Sequence, residues 1–194
     1  MACLAPDRLR MLGLELLNRM VFRLFRPSAN EGLIDRLHGE IVAAARDPVL
    51  FLEYGIEDSV GGRFETLALL AILVLRRLHR MPPPGPEVAQ DLIDAIFGAL
   101  ERDLREAGIG DVQVPRRMKT LASAFAGRAA AYGRALDSEP PELSRTLLRN
   151  VYNGRGDPGR LLRYVKRAHD AIAAASLEDL LKGRAPLPPP SNIL

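Results

Sequence analysis

The sequence predicts an all-α protein, an irregular bundle of about seven helices in a single domain. Three features favour this class. Aromatic residues make up 5% of the chain and tryptophan is absent, whereas alanine, leucine and arginine recur throughout, as in packed helices. Apolar residues repeat at three- and four-residue spacing within segments that prolines and glycines separate. The 194 residues are 47% hydrophobic and 26% charged, enough for one folded core.

The N-terminal unit, residues 1–28, is predicted to form a basic amphipathic helix from about Asp7 to Phe25. Its apolar stripe consists of Leu9, Leu12, Leu16, Met20 and Leu24. Arginines lie mostly on the other faces, as in helices that lie on membranes and in helices that pack on a protein core. Both interpretations stay open, and the first predicts that residues 8–26 contact an anionic membrane surface.

The main domain is predicted to span residues 29–184. A helix over residues 31–46 should end at Asp47 and Pro48, because the residue before a proline disfavours helical geometry. After a short apolar piece and a glycine-rich turn, a helix over residues 63–80 carries apolar residues around nearly its whole circumference. Such a helix belongs in the middle of the bundle.

Proline, glycine and N-cap signals predict four further helices. They span about residues 87–107, 115–136, 141–152 and 157 onward, with Asp157 as the N-cap of the last. Ser176 then begins a short turn, with Asp179 placed for a capping box. The proline-rich tail, residues 185–194, is expected to be mobile.

Charge is distributed unevenly along the chain. Residues 31–114 carry eight arginines against fifteen acidic residues, whereas residues 115–167 carry twelve basic residues against four acidic ones. This pattern favours either internal charge pairing or a basic surface for an acidic partner. The second interpretation is a basic helical module that binds RNA or the ribosome, without DNA as a partner, through residues 115–167. It uses Arg116, Arg117 and Lys119 near one helix start and Arg160, Arg163, Lys166 and Arg167 along another helix.

Sequence features of export and membrane insertion are not apparent. Cys3 is the single cysteine, so no internal disulfide can form and a reducing compartment is favoured. Arginines interrupt the apolar stretch of residues 1–26, unlike the core of a secretory signal. The longest strongly apolar run, Leu67 to Leu75, has nine residues, whereas about 20 are needed to span a bilayer. We expect a cytoplasmic protein, with peripheral contact at the inner face of the cytoplasmic membrane as the alternative.

No motif predicts catalysis, a metal or a cofactor. His38, His79 and His169 lie on three different predicted helices without metal-ligand spacing. Residues 154–159 match the glycine pattern of dinucleotide-binding loops, but a predicted helix precedes them where that motif requires a strand. A helical enzyme acting on a lipid or isoprenoid would need paired aspartate motifs, which are missing. We therefore expect a binding or assembly role.

Three motifs stand in a fixed order between residues 45 and 136. The first begins with Ala45-Arg46-Asp47-Pro48 and continues through Tyr54-Gly55-Ile56-Glu57-Asp58 to Gly61-Gly62-Arg63-Phe64-Glu65. The second begins with Ala89-Gln90-Asp91-Leu92, continues with Asp103-Leu104-Arg105-Glu106-Ala107-Gly108-Ile109-Gly110-Asp111 and ends with Val114-Pro115, Met118 and Lys119. The third is Ala124-Phe125-Ala126-Gly127-Arg128 with Tyr132. In order and spacing they resemble the signature of the ubiquinol-cytochrome c chaperone family.

The resemblance implies an assembly factor for the ubiquinol-cytochrome c reductase. Such a protein is helical, is not an enzyme and needs no cofactor of its own. It would receive newly made apo-cytochrome b at or near the ribosome and protect it until haem and partner subunits arrive.

Candidate client- or partner-binding residues come from these motifs and from the basic start of the helix over residues 115–136. They are Asp58, Arg63, Phe64, Asp111, Arg116, Lys119, Phe125, Arg128 and Tyr132. The three aromatic residues among them are predicted either to line an apolar client groove or to pack in the core.

Two ion pairs are predicted at neighbouring helix starts. Arg63 is expected to pair with Asp58. Arg128 is expected to pair with Asp111. Both pairs can serve the fold or contact a client, and both interpretations stay open.

Overall fold

The computed structural model describes residues 31–193, which are helices joined by turns, and this confirms the all-α prediction. The helices are α1 Glu31–Ala45, α2 Pro48–Leu52, α3 Val60–His79, α4 Gly85–Glu106, α5 Val114–Leu136, α6 Pro140–Asn150, α7 Gly159–Ala174 and α8 Leu177–Leu181, followed by a 3-10 turn at Pro190–Ile193. The helix predicted near residues 7–25 lies outside the described residues.

Helix α3 forms the centre of the bundle, as its apolar circumference predicts. It packs against α1, α4, α5 and α7. Leu69, Leu70 and Val74 are at most 1% exposed. Each such side chain stabilises the fold by about 1.5–3 kcal/mol relative to an exposed one.

The start of α3 depends on a cap and a glycine. The Ser59 hydroxyl accepts a hydrogen bond from the Gly62 N–H at 3.2 Å, so the helix begins at Val60, three residues before its predicted start. A Cβ at Gly62 would lie 1.9 Å from the Glu57 carbonyl oxygen. Only glycine allows this close approach of the helix to the preceding turn.

Two ion pairs show that helices α3 and α5 run parallel: the earlier residue of α3 contacts the earlier residue of α5, and the later residue contacts the later one. Arg128 Nη2, past the middle of α5, lies 2.6 Å from Glu65 Oε1 in the first half of α3. Towards their ends Arg76 pairs with Asp137 and donates to the Gly133 carbonyl at 3.2 Å. Helix α4 runs antiparallel to α3 and packs against both helices, so the starts of α3 and α5 meet the end of α4.

The C-terminal segment was expected to be mobile, but residues 185–193 are packed on the domain. The Tyr54 hydroxyl donates to the Pro190 carbonyl at 2.8 Å, and the Tyr152 hydroxyl donates to the Tyr54 carbonyl at 2.8 Å. The Ala185 N–H donates to the Glu40 carboxylate. These bonds join the segment to α1 and to the turn after α2.

Local capping signals agree closely with the structure. The Asp179 N–H donates to the Ser176 hydroxyl at 3.1 Å and begins α8, which confirms the predicted cap. Asp157 accepts from the Gly159 N–H at 2.8 Å, and α7 begins there, two residues after Asp157. Pro158, and not the predicted Asp157, holds the N-cap position of α7, so the predicted helix start is right to within one residue.

Candidate functional site

An apolar cavity opens at the end of the bundle where α3 and α5 begin and where α1 and α4 end. Its volume is about 540 Å³, and we call it the groove. It is lined by Val42, Ala45, Arg46, Val60, Arg63, Phe64, Leu67, Leu100, Asp103, Leu104, Ala107, Arg117, Thr120 and Leu121.

The apolar wall exists because α4 continues its apolar stripe beyond the region that its neighbours cover. Phe97 is the last buried residue of α4, whereas Leu100 and Leu104, one and two turns further on, are only partly buried. Leu67 and Leu121 approach them from α3 and α5. The apolar side chains here therefore face a space that the described residues leave open.

Val60 forms part of the mouth of the groove. It is 89% exposed although it is a large apolar residue. As the first residue of α3 it extends past the bundle end, where none of the described helices covers it. Leu52, on α2, is 82% exposed and lies next to Phe51, whose ring centre is 5.9 Å from the guanidinium of Arg63. Apolar surface therefore continues outside the groove.

Arg63 joins the wall of the groove to an exposed ion pair. Its Nε donates to Asp58 Oδ1 at 2.7 Å, which confirms the predicted pair. The hydrogen bond from Arg63 lowers the pKa of the Asp58 carboxyl from its usual value. Both side chains are more than half exposed, so the pair adds little to stability and can exchange partners.

The second predicted pair is wrong, because Arg128 bonds to Glu65 and not to Asp111. Glu65 lies on the inner side of α3, and its side chain is 11% exposed. Asp111 is in the turn before α5, where its carboxylate lies 2.5 Å from Arg105 Nη1. Asp111 is thus held by the end of α4, while Arg128 lies further along α5 and faces α3.

The three candidate aromatic residues do not lie together. Phe64 lines the groove. Phe125 is buried and packs edge-on against Phe97 with ring centres 5.5 Å apart. Tyr132 is fully buried, and burial raises the pKa of its hydroxyl. Phe125 and Tyr132 therefore belong to the core, which was one of the two alternatives.

The basic candidates Arg116 and Lys119 are exposed on the first turns of α5. They flank the groove residue Arg117 in sequence without lining the groove themselves. Val60 and Leu104 were not among the candidates, although both lie in the groove. The apolar stripe of α4 extends beyond its last buried residue, and this pattern was the sequence signal for the groove. Whether such a stripe is exposed depends on which helices end beside it.

Across residues 31–193 no three His, Cys, Asp or Glu side chains are grouped so that they could hold a metal ion. None of the helices in that range is long and apolar enough to cross a membrane.

The architecture itself indicates a class of protein. A helical bundle with an open apolar groove between helix ends is a common form of protein-binding domain. The comparisons with known proteins agree with this class. The model of the family described as ubiquinol-cytochrome C chaperone matches residues 52–187. The chain belongs to this family, as the three sequence motifs predict.

A solved structure extends the likeness to almost the whole chain. The crystal structure of the Cbp3 homolog from Brucella abortus is similar with a TM-score of 0.77 and 34% sequence identity. The match covers 93% of this chain and 98% of that one. No curated protein matches the chain at a significant level.

Proposed function

We propose that this protein is an assembly chaperone that binds newly made apo-cytochrome b and promotes biogenesis of the ubiquinol-cytochrome c reductase. The observation that carries the proposal is the family match over residues 52–187. The likeness to the Cbp3 homolog, which spans nearly both chains, supports it. The groove is the site at which the client would bind.

The groove has the properties that such a client requires. A newly made membrane protein exposes apolar segments, and these associate wrongly unless they are covered. The groove presents a wall of partly buried apolar side chains with Val60 exposed at its mouth. Covering such surface releases water from both partners and favours binding without any covalent step. A binding role without catalysis or cofactor is therefore part of the proposal.

The client proposal can be tested at Val60. A strain that lacks the gene would be complemented with the wild-type chain, with Val60→Asp or with Val112→Asp. Val112 is the matched control, because it is 93% exposed and does not line the groove. Neither change removes buried contacts, so each should alter the free energy of unfolding by about 0.5 kcal/mol at most. Co-purified apo-cytochrome b and the reductase content of membranes are measured.

We expect the wild-type chain and Val112→Asp to restore both quantities and Val60→Asp to restore neither. A charge in the groove mouth would have to be desolvated against an apolar client. Normal reductase content in the deletion strain would refute the chaperone role. Full activity of Val60→Asp would refute the groove as the client site.

We propose two further contacts that would bring the chaperone to its client. One is ribosomal RNA, supported by four exposed cations on α7, at positions 160, 163, 166 and 167. The other is the anionic inner face of the cytoplasmic membrane, through residues 8–26. Since no residue of α7 lines the groove, the ribosome and the client need not compete.

A further inference from the structure

The groove carries more positive than negative charge. Arg46, Arg63 and Arg117 line it, against the single carboxylate of Asp103. Arg46 lies 4.0 Å from Asp103, so these two charges largely offset each other. Arg63 forms an exposed ion pair with Asp58, which does not line the groove. Arg117 makes no ion pair within the described part of the chain, so the groove retains one uncompensated cation, beside an exposed Arg63 that can exchange its partner, next to an apolar wall.

This charge argues against the two occupants that the chain itself can supply. Residues 1–30 carry five arginines against two acidic residues, Asp7 and Glu15, so they would bring further positive charge. A second copy that docked groove to groove would place the same arginines against each other. Like charges at close range oppose association. A partner that carries a carboxylate fits better than either.

The walls also select the conformation of the occupant. They are helices, whose backbone N–H and C=O groups are bonded within the helix. An extended segment would find few backbone partners along them, and its unpaired groups would oppose burial. A helix satisfies its own backbone and offers an apolar stripe, which Leu100, Leu104 and Leu121 can pack against.

We propose that the groove binds one amphipathic helix of the client, and that a carboxylate beside its apolar stripe pairs with Arg63 and Arg117. The inference rests on the proposed function. It adds that the bound segment of the client is a helix with an apolar stripe and a neighbouring carboxylate. The apolar stripe supplies most of the affinity. The carboxylate selects which helix binds and fixes its direction in the groove.

Two synthetic peptides of about 18 residues test the inference with the full-length chain. Both carry leucines at helical spacing, and they differ only by one glutamate or glutamine beside the stripe. Their dissociation constants are measured by fluorescence anisotropy at low salt for three proteins: the wild-type chain, Arg63→Gln/Arg117→Gln and the control Arg116→Gln/Arg134→Gln. Arg116 and Arg134 are exposed on α5 outside the groove, so both double variants lose the same charge. Melting temperatures establish that all three are folded.

The glutamate peptide should bind about fivefold more tightly than the glutamine peptide to the wild-type chain and to the control, as an exposed charge-assisted pair allows. This preference should vanish in Arg63→Gln/Arg117→Gln. Equal binding of both peptides to the wild-type chain, or a preference that survives that variant, would overturn the inference. If Val60→Asp still abolishes capture of cytochrome b in that case, the proposed chaperone function is kept and only the inference about the carboxylate is given up.

One more variant separates the occupants. Leu12→Asp/Leu16→Asp in the full-length chain disrupts the apolar stripe of the N-terminal segment. Peptide affinities equal to those of the wild-type chain support a client helix. An affinity severalfold higher would show that the segment competes for the groove and would overturn the proposed occupant.

Discussion

At the scale of single residues, Gly62 shows how one position controls the site. It lies in the first turn of α3 against the Glu57 carbonyl, where an added Cβ would be 1.9 Å from the oxygen. Gly62→Ala should therefore displace the start of α3, which forms the mouth of the groove, and lower the free energy of unfolding by about 3 kcal/mol. The measurement is chemical denaturation followed by circular dichroism.

Gly61→Ala is the matched control. Its added Cβ would meet nothing closer than the Ser59 hydroxyl at 3.7 Å. Alanine favours helix more than glycine, so this change should stabilise the protein by about 0.5–1 kcal/mol. Equal effects of the two substitutions would contradict the steric explanation.

The second prediction for a single residue concerns His38 and the pH dependence of the free energy of unfolding. Burial, and then the charge of Arg102, lower its pKa from 6.5 in the folded protein. The unfolded chain therefore gains a proton on His38 before the folded chain does as the pH falls. The free energy of unfolding should therefore decrease as the pH falls through the ordinary histidine pKa of 6.5 and level off below the lower pKa of the folded state.

His38→Gln should reduce this decrease while leaving stability near pH 8 almost unchanged. Denaturation curves of both proteins at several pH values measure it. Identical pH profiles would show that His38 titrates alike in both states. The prediction concerns stability alone, because His38 does not line the groove.

At the scale of elements, the pair between Glu65 and Arg128 sets how α3 and α5 meet. The two Arg128 donors closest to the carboxylate lie 2.6 and 3.1 Å from its oxygens. The bond raises the pKa of the Arg128 guanidinium. Arg128→Met would leave the Glu65 carboxylate unpaired in a nearly closed site. Since Arg128 is partly exposed, we expect a loss of about 2 kcal/mol, below that of a fully buried pair.

The double variant Glu65→Leu/Arg128→Met tests whether the pair stabilises the fold or mainly orients it. Removing both charges should restore stability to within about 1 kcal/mol of the wild-type chain. If the peptide preference of the groove were then altered, the pair would be a positioning element for α5. A double variant as unstable as Arg128→Met would show that the charge is not the cause.

At the scale of the whole molecule, charge separates two surfaces. The groove lies at one bundle end, and the exposed cations of α7 lie on a helix outside it. Arg163→Gln/Lys166→Gln should reduce cosedimentation with ribosomes at low salt without reducing capture of cytochrome b, because phosphate contacts depend on these charges. Ribosome binding that is indifferent to salt and to the substitutions would contradict this.

A further prediction at this scale concerns membrane contact, and the variant Leu12→Asp/Leu16→Asp tests it. Flotation with anionic vesicles should recover the wild-type chain and lose Leu12→Asp/Leu16→Asp, since the apolar stripe would have to enter the headgroup boundary. Equal recovery of both chains would refute contact through residues 8–26.

The sequence by itself determined the fold class, the order of the helices and the family. Helical periodicity and capping depend on residues close in sequence, so they can be predicted without knowing the tertiary neighbours. Ser176 caps α8 as predicted, and α3, with its apolar circumference, lies at the centre. Bonds within one turn were predictable for the same reason. Arg63 and Asp58 are five residues apart and meet as expected.

Only the tertiary structure decided which residues form the groove. Phe64, Phe125 and Tyr132 are all aromatic residues in the sequence, but the packing of α5 against α3 directs the last two into the core. The same packing brings Arg128 to Glu65, 63 residues away, and leaves Asp111 to Arg105. The groove itself follows from where four helices begin and end. These features depend on relations between distant segments, which local propensities do not encode.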